Sequence, residues 1–223
     1  MQANLFPVRL RIQLLLSGIV LALLWLLGLL AQLEVKSGIP ALLIASGGLL
    51  IVIGSIIHLP LCYADAVQAR PPAMLYGLLW PERQPVYGKV LIAVNLGGAL
   101  LPLGYALAMF WAFRPALLPL LGATVICSTT AYLLSRPIRG FGIAIPLVLV
   151  PMIGAVSAKT LLPEHAMIAA YISVTIGVIL GADLFRLRDL KQLGSSFVSI
   201  GGAGLFDGIV QSGILASLFI LLL

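Results

Sequence analysis

Charge is scarce in this 223-residue chain: 9% of its residues are Asp, Glu, Lys or Arg, while 61% are hydrophobic. A soluble domain of this length cannot hide so much apolar surface, which excludes the ordinary soluble classes and points to the membrane. Cysteine and histidine are scarcer still, at two of each. Neither a disulfide framework nor a zinc site is expected, and Cys62 and Cys127, in or at the edges of apolar runs, read as helix-packing residues. Ser17, Ser46 and Ser55 have no histidine at useful spacing, which disfavours a serine nucleophile, and His58 and His165 near span ends have no clear partner. No internal repeat of the kind found in many secondary transporters stands out. No metal and no other cofactor is expected.

The net charge of +6 would point to nucleic acid in a soluble protein. Here the 13 basic residues lie almost wholly in short loops, where they act as topology signals and contacts to anionic lipid, so lipid rather than nucleic acid is the expected partner. A membrane-spanning helix needs about 20 apolar residues. That ruler gives seven runs: 12–33, 39–62, 90–112, 115–134, 142–162, 166–185 and 205–223. The fold class expected is therefore all-α, a single integral membrane domain over 1–223 built as a bundle of about seven helices. The first run is too long for a secretory signal core and reads as a retained helix.

Loop charge sets the orientation. Arg9, Arg11, Arg70, Arg83, Lys89, Arg136, Arg139, Arg186, Arg188 and Lys191 fall on one side, against Lys36, Arg114 and Lys159 on the other. The N-terminus is thus expected in the cytoplasm and the C-terminus outside, in a bacterial-type inner membrane. The longest connection, 63–89, holds Pro71, Pro72, Pro81 and Pro85 among aromatics and charges, as suits a cytoplasmic or interfacial loop.

Against this background two acids stand out, Asp183 in GVILGADLF and Asp207 in GGAGLFDGIV. An ionised carboxylate in hydrocarbon costs at least about 2.5 kcal/mol, so intramembrane acids usually face a protein interior or a water-filled cavity and mark function. Before Asp207, the run SSFVSIGGAG (195–204) combines β-leaning residues with three glycines and is poor helix material. If the last helix begins near Leu205, Asp207 falls in its first turn, at a depth similar to that of Asp183 at the end of the preceding helix. Two carboxylates within reach of each other share one proton, so that one acts as general base toward water while the other donates to a carbonyl. That is aspartyl protease chemistry.

The stretch Gly204-Leu205-Phe206-Asp207-Gly208-Ile209-Val210 resembles the Gly-x-Gly-Asp motif of presenilin and signal-peptide-peptidase type intramembrane proteases, with Phe206 in place of the second glycine. The resemblance covers 177–217 and implies a presenilin-like arrangement. In it Asp183 and Asp207 on the sixth and seventh helices are catalytic, and an extended segment precedes Asp207. Ser199, Gly201, Gly202, Gly204, Leu205, Phe206, Gly208 and Asn95 serve as supporting or substrate-binding residues, and a transmembrane peptide or protein is the substrate. The chain departs from that family at Ala182, where the family has Tyr. The family also continues through two further helices with a Pro-Ala-Leu motif; here Pro40-Ala41-Leu42 and Pro115-Ala116-Leu117 read as helix starts. Over most of the chain, VNLGGALLP, RGFGIAIPLVLVP, GADL and SIGGAGLFDGI resemble an uncharacterised family of prokaryotic membrane proteins known as a domain of unknown function.

Two other readings use the same residues. A proton- or cation-coupled carrier would bind its ion at Asp183 or Asp207 with Asn95 and Ser199 as neutral ligands. A noncatalytic scaffold would use Asp207 as a helix cap, Asp183 as the ion-pair partner of Arg186 or Arg188, and Asn95 as an interhelical hydrogen bond.

Overall fold

The computed structural model describes residues 31–32, 34–65, 89–138, 142–187, 189 and 197–223. The expected first helix over 12–33, apart from Ala31 and Gln32, which are helical, and most of the 63–89 loop, with Arg9, Arg11, Arg70, Arg83, Arg139, Arg188 and Lys191, lie outside the described residues. The chain forms two compact units, Met1–Ser46 and Gly47–Leu223. In the smaller unit a helix closes at residue 37, where Gly38 takes a positive φ of 71° and donates to the Glu34 carbonyl. Pro40 then precedes helix α1, Ala41–Gly54, as a proline at a helix start should.

The larger unit is mostly helical, but it also contains a sheet that an all-α expectation did not include. Strand β1, His58–Asp65, pairs antiparallel with β2, Lys89–Asn95, and β2 pairs parallel with β5, Phe197–Ile200. The order β1-β2-β5 puts β2 at the centre. Its sequence KVLIAVN is near-continuously apolar and buried, as a central strand requires. Strand β1 lies at an edge and carries Pro60, which has no N–H to offer a ladder, with a bulge between Pro60 and Cys62. Ile92 packs between Ala64 and Val198, one residue from each strand.

These strands correct the helix boundaries drawn from apolar run length. The run 39–62 is helical only to Gly54, and 90–112 begins as a strand. Helix α2, Leu101–Phe113, follows a π-helical turn at Leu96–Leu100. The run 142–162 opens with a short strand: β3, Arg136–Ile138, and β4, Gly142–Ala144, form a hairpin before helix α4, Leu149–Leu161. Helix α3, Leu117–Leu134, starts after Pro115-Ala116 as expected. Helix α5, Ala166–Val178, is entered through a 3-10 turn at Pro163–His165 and runs into a π-helical turn at Ile179–Leu184. Helix α6, Gly208–Leu222, closes the chain.

Among the described residues three helical stretches are long and apolar enough to cross a membrane: Leu96–Phe113, Leu117–Leu134 and Pro163–Leu184. The α1, α4 and α6 helices are apolar but shorter. The stretch containing α5 is 67% buried, against 28% and 33% for the other two, so α5 is the central column. Small residues let its neighbours approach: Gly177 and Gly181 face the α3 backbone near Cys127 and Ser128, and Gly213 of α6 faces Thr175 and Tyr171. Outward-facing Trp111, Leu118, Val125 and Leu133 are exposed, a surface suited to lipid.

Candidate functional site

The site is built where β5 turns into α6. After Ile200 the chain must reverse sharply, and it does so at glycines: Gly201 has φ 70° and Gly204 φ 59°, conformations that strain any residue with a Cβ. Gly201 lies directly against Gly98 of the π-helical turn, and Gly204 lies against the Ser55 side chain. A single 3-10 turn, Gly204–Phe206, then delivers Asp207 in extended geometry as the N-cap of α6. Within SSFVSIGGAG, Phe197–Ile200 is extended and Gly201–Ala203 form a turn, so the helix-poor character that the sequence reading expected holds over the described part of the segment. The helix begins at Gly208 rather than Leu205, so Asp207 stands just ahead of the first turn instead of inside it.

Asp207 is held at both oxygens: Oδ1 accepts from Ile209 N–H at 3.0 Å and Oδ2 accepts from Ala203 N–H at 3.3 Å. The capping role weighed for Asp207 is therefore present, and each oxygen keeps accepting capacity beyond its one backbone donor. Asp207 as a residue is partly buried. Phe206 beside it is 77% exposed and points away from the core, whereas Gly208 abuts Ile145, just beyond β4.

Asp183 approaches from α5. It lies in the π-helical turn, an arrangement often found at functional sites, whose wide ring is closed by Phe185 N–H donating to the Leu180 carbonyl at 2.9 Å. Asp183 is partly buried and lies within range of the Asp207 charge. The ion pair weighed between Asp183 and Arg186 does not form. Arg186 instead pairs with Asp189 at 3.0 Å, donates to Ser135 Oγ and to the carbonyls of Tyr132 and Ser135 at 2.7–2.8 Å, and stacks on the Tyr132 ring. It closes the exposed C-terminal carbonyls of α3 and so ties the Asp183-bearing turn to that helix. Among the described residues no hydrogen bond reaches the Asp183 carboxyl.

Asn95 ends β2 and is fully buried. Its Oδ1 accepts from Gly98 N–H at 2.7 Å, capping the π-helical turn, and its Nδ2 donates to the Ser55 carbonyl at 2.8 Å. Ser55 Oγ in turn accepts from Leu205 N–H at 3.0 Å, two residues before Asp207. The histidine that sequence alone left without a partner has one: His58 Nδ1 is 2.9 Å from Ser199 Oγ, and its Nε2 is 3.3 Å from Asn95 Nδ2. The structure thus gathers Asn95, Ser199, Gly201, Gly204 and Leu205 with Ser55 and His58 into one network under the Asp207 turn. Gly202 closes the turn by donating to the Ser199 carbonyl. Ser55 and His58 were missed because they lie far from Ser199 in sequence; the one available signal was a histidine placed in an otherwise apolar run.

No curated protein and no solved structure matches the chain. A family model described as "Protein of unknown function (DUF1614)" matches residues 52–219, a stretch that takes in the sheet, the network under Asp207 and both aspartates. The chain belongs to the DUF1614 family.

Proposed function

We propose that the protein is an intramembrane aspartyl protease in which Asp183 and Asp207 hydrolyse peptide bonds of membrane-embedded substrates. The observation that carries this reading is the convergence of two acids from otherwise apolar segments. One sits at a π-helical break and the other at a strand-to-helix turn; both residues are partly buried, and the Asp207 charge acts on Asp183. Asp207, already accepting two backbone N–H groups, is the carboxylate of the pair and takes a proton from water. Asp183 carries the other proton and donates it to the scissile carbonyl as the hydroxide adds. The resulting gem-diol collapses with proton transfer to the leaving nitrogen, and water and two carboxyl groups suffice.

The proposal places the chain in the inner membrane as a seven-span, presenilin-like bundle with a cytoplasmic N-terminus and an external C-terminus. Backbone polar groups of an open sheet cannot face hydrocarbon, so the β1-β2-β5 sheet belongs at the cytoplasmic mouth or under protein cover. The carrier reading loses ground because Asn95 is fully buried and its amide is engaged at both ends, by Gly98 N–H and by the Ser55 carbonyl. The scaffold reading explains the Asp207 cap, but Arg186, one of the two arginines it offered to Asp183, pairs with Asp189 instead.

The test uses a photoactivatable hydroxyethylene peptide isostere, whose hydroxyl occupies the place of the diol between two catalytic carboxyls. Reconstituted full-length protein is expected to be labelled, with labelling competed by the plain isostere and lost in Asp183→Asn and in Asp207→Asn. Labelling that survives either substitution, or no labelling of the wild type, overturns the reading.

A further inference from the structure

The turn that carries Asp207 ties most of its backbone to itself. Gly202 N–H donates to the Ser199 carbonyl, Ala203 N–H to Asp207 Oδ2, Gly204 N–H to the Gly201 carbonyl, Phe206 N–H to that of Ala203 and Asp207 N–H to that of Gly204. From Gly202 to Asp207 the N–H that leaves the segment is that of Leu205, which donates to Ser55 Oγ at 3.0 Å, 150 residues away in sequence. A loop closed on its own hydrogen bonds keeps its shape but not its place, so the bond that leaves it governs where its carboxylate stands.

Both partners of the Ser55 hydroxyl are backbone groups, which fixes the direction of each bond. Leu205 N–H can only donate, and the Ile51 carbonyl, 2.7 Å from Oγ, can only accept, so Ser55 gives its proton to Ile51 and a lone pair to Leu205. Ser55 follows the last residue of α1 and is clasped there by the β2 side of the site. Its carbonyl accepts from the buried Asn95 Nδ2 at 2.8 Å, and a Cβ on Gly97 would land on the Ile51 carbonyl oxygen and the Ser55 nitrogen. A Cβ on Gly204 would land on the Ser55 side chain, so the turn reaches the hydroxyl only because residue 204 has none. We propose that Ser55 is a positioning residue: its hydroxyl, anchored at the end of α1, is the latch that holds the Asp207 turn in place.

The latch concerns the turn alone, whereas its consequence for Asp207 chemistry rests on the protease reading, so the experiment separates the two. Ser55→Ala keeps the Cβ and removes the oxygen. Leucic acid placed at position 205 by nonsense suppression turns the Leu205 amide into an ester, which removes the N–H and leaves every side chain as it was. Amide exchange is followed in full-length protein in lipid nanodiscs. Ser55→Ala is expected to speed exchange over residues 203–207 about three- to tenfold, the scale of one lost hydrogen bond, with residues 91–94 of β2 unchanged. The ester is expected to do the same at the neighbouring amides, and combining it with Ser55→Ala to add nothing, since both break one bond.

Labelling by the photoactivatable isostere at limiting concentration gives the second readout, expected to fall by a similar factor in Ser55→Ala and in the ester. Unchanged exchange over 203–207 in Ser55→Ala, an equal acceleration in β2, or effects of the two changes that multiply when combined overturn the proposal. So does a wild type that is labelled beside a Ser55→Ala form labelled equally well. If exchange behaves as expected but the isostere labels no form of the protein, the latch stands and the protease reading fails.

Discussion

The contact between Gly98 and Gly201 sets how closely the β2 side of the site approaches the Asp207 turn, and Gly98→Ala tests it. A Cβ on Gly98 would land on the Gly201 carbonyl oxygen and press the Gly201 carbonyl carbon and Cα at 2.8 and 3.0 Å. The obstacle is backbone, and Gly201 at φ 70° has little room to move because even a Cβ built on it would press the Gly98 carbonyl carbon and the Ala99 nitrogen. Overpacking of this kind costs about 1–3 kcal/mol. Any shift of Gly98 that relieves it also weakens the buried 2.7 Å bond to Asn95 Oδ1, worth roughly another 1–3 kcal/mol if left unmade. Alanine's better helix propensity returns up to about 1 kcal/mol. The net expectation is a destabilisation of about 2–4 kcal/mol, together with loss of isostere labelling. Gly48→Ala is the control: among the described residues nothing lies within 4 Å of a Cβ there, so it should be neutral or stabilising by up to about 1 kcal/mol. Equilibrium unfolding in bicelles measures both. If Gly98→Ala lies within about 0.5 kcal/mol of wild type, or Gly48→Ala is equally harmful, the argument from close backbone approach is refuted.

Two further substitutions separate structure from chemistry. Asp207→Ala removes the cap on α6 and should cost about 1 kcal/mol, whereas Asp207→Asn keeps an oxygen for Ile209 N–H and should cost little; comparing their unfolding midpoints with their isostere labelling distinguishes a cap from a catalytic group, since the account expects both variants to lose labelling. Arg186→Ala should lower stability by about 2 kcal/mol because three acceptors at the end of α3 lose a charged donor. Arg186→Lys should recover less than half of that in the same unfolding assay, since an ammonium cannot span Ser135 Oγ, two carbonyls and the Tyr132 face.

Much of the helical framework was legible in the sequence because long apolar runs in a chain so poor in charge leave few alternatives. The extended segment before Asp207 was also legible, since Phe-Val-Ser-Ile followed by three glycines combines β-leaning and helix-breaking residues. The β1–β2 pair was not. Apolar run length alone does not tell a buried strand from a helix, and HLPLCYAD and KVLIAVN each sit at the end of a run that continues as helix. Their signals were local: Pro60 without an N–H, and β-branched Val90, Ile92 and Val94 at alternate positions. Both aspartates were legible as acids out of place. The partners of Arg186 and His58 were not, because each depends on contacts between elements far apart in sequence, which residue spacing does not encode.

If Asp183 and Asp207 catalyse peptide hydrolysis as proposed, they act as one proton-sharing pair. Infrared difference titration of the carboxyl bands in reconstituted bilayers, with wild type beside Asp183→Asn and Asp207→Asn, tests it most directly. The pair is expected to release its protons in two separated steps, and either substitution to leave one step at a pH different from both. Two independent titrations, each unchanged when the other aspartate is replaced, would contradict it.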